Sequence, residues 1–155
     1  MDSTNKTFSL VSSGEQDQVS RLLLAWLNQF PDKPVTLINY EFLKDGEPSM
    51  ALSTIQAAYK TRKYITGGYQ AQYQFKVIYR VQPSTNNDRL KADELLNSFG
   101  DWVVWRCEDL QEFPVLGDGV RCLKVEATTR SSLFGRYENG DEDHQILMNM
   151  IYEVI

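Results

Sequence analysis

Apolar and polar residues alternate along residues 69–81. Tyr69, Ala71, Tyr73, Phe75, Val77, Tyr79 and Val81 share one parity, with Gln70, Gln72, Gln74, Lys76 and Arg80 between them. This is the period of a β-strand with one buried face, interrupted only by Ile78. Residues 83–88 (PSTNND) break the strand and offer helix-capping side chains, after which Ala92, Leu95, Leu96 and Phe99 recur at helical spacing. A long strand feeding a helix, each with one apolar face, predicts a helix that lies on a sheet.

The same reading extends to both sides. Val19, Leu22, Leu23, Trp26, Leu27 and Phe30 form a helical stripe, with Ser12 or Ser13 as its cap and Pro31 as its stop. Residues 35–43 and 50–55 are rich in β-branched, aromatic and other apolar side chains, and Asp45-Gly46 between them predicts a hairpin. Residues 120–128 alternate with the apolar side chains mainly on odd positions, and Ile146, Met148, Met150, Tyr152 and Val154 mark a closing strand. Residues 57–68 and 129–143 read as connectors, and the cluster around Trp102 and Trp105 as an extension or seal of the second helix. The expected class is α+β: a mostly antiparallel mixed sheet of about five strands with two main helices packed on it. Residues 1–14, rich in Ser, Thr and Asn, read as a flexible polar leader, and 15–155 as a single domain.

Charge and chemistry narrow the function. A net charge of −5 and a pI near 4.9 exclude a general nucleic-acid binder. Cys107 and Cys122 stand outside any CxxC pattern and read as reduced, part-buried thiols, so neither a metal nor another cofactor is expected. The N-terminus lacks the pattern of a secretory signal, and no apolar run is long enough to span a bilayer, so a soluble protein made in the cytoplasm is expected. Lys60, Arg62 and Lys63, beside Tyr64, form the one basic segment of an acidic chain, which is either a solvated connector or a functional surface. Glu138, Asp141, Glu142 and Asp143 form an acidic turn without the ligand order of a calcium loop. His144, the only histidine, is expected to face solvent at a strand start. With no GxSxG, no glycine-rich phosphate loop and no HExxH, nothing nominates a catalyst, and the chain is read as no enzyme.

The order of elements, the 73–80 strand (YQFKVIYR) leading into the 87–96 helix, and the closing LFGRYENGDED at 133–143 before a hydrophobic strand carry a resemblance. Over about residues 15–155 the chain resembles the tail terminator (tail completion or minor tail) proteins of long-tailed bacteriophages. The resemblance implies a non-enzymatic virion protein, assembled in the host cytoplasm, that forms a homo-oligomeric ring, a hexamer, at the head-tail junction. Such a ring ends growth of the tail tube and meets the head-tail connector or stopper protein, with DNA passing through it without sequence-specific binding. It also implies that residues 36–65 reach neighbouring subunits. Lys60, Arg62, Lys63 and Tyr64 are then expected on a loop that is poorly ordered in a lone subunit. In the ring that loop would meet Glu138, Asp141, Glu142 and Asp143 of a neighbour, or else face the DNA channel. The other readings are a head-closure, neck or minor capsid protein, and a small α+β enzyme or ligand-binding domain whose site is assembled only in space.

Overall fold

The computed structural model describes residues 9–155. Along them run α1 (Ser13–Leu27), β1 (Ile38–Tyr40), β2 (Ser49–Thr54), β3 (Tyr59–Lys63), β4 (Tyr69–Val81), α2 (Asn86–Glu108), β5 (Val120–Ala127), β6 (Ser132–Arg136) and β7 (Glu142–Val154). The fold is α+β, with one mixed sheet in the order β1-β2-β4-β7-β5, β3 beside β4 and β6 beside β7.

β4 and β7 form the spine. They pair antiparallel along their whole length, from Tyr69 opposite Val154 to Val81 opposite Glu142. Because side chains alternate with period two, this register puts Tyr73, Phe75 and Val77 on the same face as Met150, Met148 and Ile146. All six are buried. Val19, Leu23 and Leu27 of α1 and Leu96, Phe99 and Val103 of α2 cover that face and are themselves fully buried. Phe30 meets Phe99 edge-on at 5.2 Å, and Trp26 lies 5.6 Å from Trp102, so the two helices also seal against each other. Truncating Phe99 to alanine here would cost about 3–5 kcal/mol. Gly100 lets α2 come close to the sheet, since a Cβ there would meet Ile146 Cδ1 at 2.7 Å.

The helix ends follow local chemistry. Ser12 Oγ accepts from the Glu15 N–H at 3.2 Å and starts α1. Thr85 and Asp88 form a reciprocal capping box at α2. α2 runs on to Glu108 because Val103 and Cys107 continue the buried stripe of Leu96 and Phe99 at helical spacing. Trp105 stays exposed.

Four expectations need correction. Residues 35–43 and 50–55 do not make a hairpin: β1 is three residues long and pairs parallel with β2, Ile38 opposite Met50. The chain leaves β1 through Glu41, whose φ of 53° reverses it, and loops back through 41–48 to enter β2 from the same end. Residues 57–68 are not a connector. They hold β3, which makes the antiparallel hairpin with β4, and its lysines and arginine suit a charged edge strand. Residues 129–143 likewise contain β6, which brings the strand count to seven instead of about five. In β5 the apolar face changes parity at a bulge between Cys122 and Lys124, so Cys122 and Val125 both reach the core. Of the leader, Met1 to Phe8 lie outside the described residues. Residues 9–11 lie along β3, where the Lys60 N–H donates to the Ser9 carbonyl at 2.7 Å and the Val11 N–H to that of Ala58 at 3.1 Å.

Candidate assembly surface

The two charged stretches singled out in the sequence sit at opposite ends of β4 and β7. Over 13 residues that separates them by roughly 40 Å. The fold does not bring them together within one subunit.

At the acidic end the carboxylates turn inward. The Arg80 guanidinium donates to Asp143 through Nε at 2.7 Å and Nη2 at 2.9 Å, and through Nη1 to Asp45 at 3.0 Å. Tyr137 stacks 5.0 Å from it and donates its hydroxyl to Asp143 at 2.9 Å. The bidentate bond to Asp143 holds the Arg80 pKa above its usual range. Asp141 accepts from the Gly46 N–H at 3.0 Å and from Gln82 at 3.0 Å, and these bonds hold its carboxyl below the ordinary range. Glu142 accepts from Arg89 through Nε at 2.9 Å and Nη2 at 2.8 Å, which lowers it too. Asp141, Glu142 and Asp143 are buried, so only Glu138 of the acidic turn is free to face another subunit. The physical reason is local: β7 begins at Glu142, and its antiparallel register sets Asp143 opposite Arg80. The network also ties the 41–48 loop to the 137–141 turn.

The basic end turns outward. Lys60, Arg62 and Lys63 are on β3 and not on a loose loop, and Arg62 and Lys63 are exposed. Lys60 Nζ stands 4.4 Å over the Tyr69 ring, and the Arg62 guanidinium 6.0 Å from that of Tyr64. Tyr64 donates its hydroxyl to Glu153 at 3.0 Å, and that bond raises its pKa. Tyr69 and Tyr152 both donate to Glu15, pinning the start of α1 to the sheet, and burial pushes the Tyr69 hydroxyl up to about 12.

His144 does not face solvent. It is 1% exposed under α2, with Nδ1 2.8 Å from Asp93, which also accepts from the Ser131 hydroxyl at 2.7 Å. Its Nε2 has no hydrogen-bond partner within the structure. Cys107 and Cys122 are free and buried, and burial pushes both thiols up, away from the reactive thiolate. No group of three or more His, Cys, Asp or Glu among the described residues is placed to hold a metal ion. Between α1 and β1 a hollow of about 220 Å³ holds Asp17, Ser20 and Arg21, but the Ser20 hydroxyl is bonded to Tyr73 at 2.7 Å and not to a base. Among the described residues no helix is long and apolar enough to cross a membrane.

Exposed apolar side chains are spread over the surface, Ile65, Leu90 and Ile155 among them, and several lie at the two edges of the sheet. Leu37 and Phe42 flank β1 and Tyr40 ends it, 56%, 57% and 43% exposed. Leu110 and Val115, 43% and 81% exposed, lie beyond β5, where Val115 bridges Arg121. Residues 36–65, which the resemblance assigns to neighbour contacts, include the first of these edges but not the second, and sequence reading took Arg80 for a solvent-facing position, whereas it is buried.

No protein-family model matches the chain, and no curated protein matches it.

Proposed function

We propose that this chain is a bacteriophage structural protein, a tail terminator that caps the tail tube as a six-membered ring, ends its growth and offers the surface that joins tail to head. The observation that carries the reading is the pair of exposed apolar patches on opposite edges of one sheet, Leu37 and Phe42 against Leu110 and Val115. Different patches on opposite sides of a subunit suit a heterologous contact, and such contacts close into rings when the rotation from copy to copy divides a full turn. Rings of this kind need no turnover. The carboxylates of Asp141, Glu142 and Asp143 and the buried histidine are engaged in joining one element to another, which supports a rigid non-enzymatic subunit. Tail tube protein and the head-tail connector are the partners of such a ring in the virion, and DNA crosses it without sequence recognition. Adding the purified chain to tube protein during polymerisation tests this, with lengths measured by electron microscopy. Tubes that stop growing and carry a terminal ring are expected, and tubes whose length distribution is unchanged would overturn the proposal.

A further inference from the structure

The hollow beside β1 has a volume of about 570 Å³ and a mixed lining, in which Val35, Leu37 and Pro48 stand with the polar Thr36, Asn39 and Ser49 and with Lys33 and Lys44. We propose that it receives the 109–119 segment of a second copy of this chain, with Val115 as the inserted side chain. The inference rests on the ring reading above and names the surfaces that would meet.

Two observations point to that occupant. The first is complementarity within one sequence. Residues 109–119 carry Asp109, Glu112 and Asp118 with no lysine or arginine, around the exposed Leu110 and Val115. The receiving hollow offers Val35, Leu37 and Pro48 and two lysines against a single glutamate, Glu47, which lies 3.7 Å from Lys44, while Lys33 donates to the Asn28 carbonyl at 2.7 Å. An apolar centre with a rim of opposite charges is the arrangement that gives both contact and register. Because the complement of each patch is carried by the opposite edge of the same chain, a second copy suffices as partner.

The second observation is strain. The non-glycine residues with positive φ among those described are Glu41, at 53°, and Gln111, at 54°. Glu41 stands between Tyr40 and Phe42 at one patch, and Gln111 follows Leu110 at the other. Both are held by their surroundings. The Glu41 N–H donates to the Leu52 carbonyl at 2.8 Å and its carboxylate accepts from the Thr54 N–H at 3.0 Å, while the N–H after Gln111 donates to the Arg106 carbonyl at 2.9 Å. Left-handed side-chain-bearing residues persist where a fixed backbone shape is needed, and here they fix the two surfaces that would dock. Strand addition is a poorer use of the same edge, because the Asn28 amide already bonds both the N–H and the carbonyl of Ile38, at 2.7 and 3.0 Å.

Variants that add one exposed cysteine to the two native ones, Leu37→Cys and Val115→Cys, treated with a short bis-maleimide in the presence of tube protein, test the contact. The native thiols are buried and serve as the background control. An equal mixture of the two variants should give a cross-linked dimer in roughly tenfold excess over either variant alone, and Leu37→Asp or Val115→Asp should weaken ring assembly by a similar factor. Circular dichroism of each variant confirms that these exposed positions leave the fold intact. Rings that form normally with either aspartate variant, or cross-linking as efficient within one variant as in the mixture, would overturn the contact and leave the ring reading standing. A wild-type chain that forms no ring under the same conditions would overturn both.

Discussion

At one end of β4 and β7, Arg80 and Arg89 hold Asp141, Glu142 and Asp143 under cover, while at the other Lys63 at the end of β3 and Ile65 in the turn after it are exposed. In sequence the two stretches are a matched pair, one acidic and one basic, each beside a glycine turn. Their fates diverge because only one of them has its counter-charges in register. The β4–β7 ladder sets Arg80 opposite Asp143, and α2 brings Arg89 over Glu142, whereas Lys60 and Arg62 find tyrosine rings instead of carboxylates. A run of like charges therefore reads as surface only until the pairing of the strand that carries it is known.

Breaking the covered end should have the largest effect. Arg80→Ala leaves Asp143 buried without its cation and should destabilise the fold by about 3–5 kcal/mol in urea unfolding, whereas Arg80→Met combined with Asp143→Leu should recover most of that loss. A single-variant loss under about 1 kcal/mol would mean that this end is solvated. Acid should act on the same end. The carboxyls of Asp141 and Glu142 are held below their ordinary range by hydrogen bonds, from Gly46 and Gln82 in one case and Arg89 in the other. Their stabilisation is present above the ordinary value of roughly 4 and fades as pH falls through the lowered folded values. Thermal melts should thus drop steeply below about pH 4, and less steeply in Glu142→Gln. Equal slopes in both proteins would remove Glu142 from the account.

Next in size is His144→Ala, which opens a gap under α2 and removes the ring that meets Asp93. It should cost about 1–3 kcal/mol in the same unfolding assay while leaving the assembled ring's size unchanged. A neutral substitution would mean that the imidazole is not held where the structure sets it. The smallest effect on stability belongs to the exposed end. Reversing Lys60, Arg62 and Lys63 to glutamate should change unfolding by less than about 1 kcal/mol, the scale of exposed cation–π contacts. A larger loss would show that β3 depends on its charges to pair with β4.

Much of the fold was legible. Period-two alternation located β4 and β7, and the 3.6-residue stripe with a serine or threonine cap located both helices, because these elements bury one complete face. β1 and β2 misled because the apolar content and the Asp45-Gly46 turn are equally compatible with parallel pairing when a left-handed Glu41 folds the loop back. β3 and β6 were missed because edge strands carry the composition of loops: three of the five side chains of β3 are charged, and β6 holds a bulge between Leu133 and Gly135. The inward turn of the acidic residues and the burial of His144 depend on partners 50 or more residues away, Arg80, Arg89 and Asp93, which spacing along the chain does not reveal.

The most direct test of the account is the size of the purified chain, measured by sedimentation over a wide concentration range with and without tube protein. A heterologous contact that closes on itself predicts one discrete species, of six chains in the proposed ring, reached on raising concentration or on adding tube ends, with no larger assemblies beyond it. A chain that stays monomeric throughout, or one that grows without limit, would contradict the proposed ring.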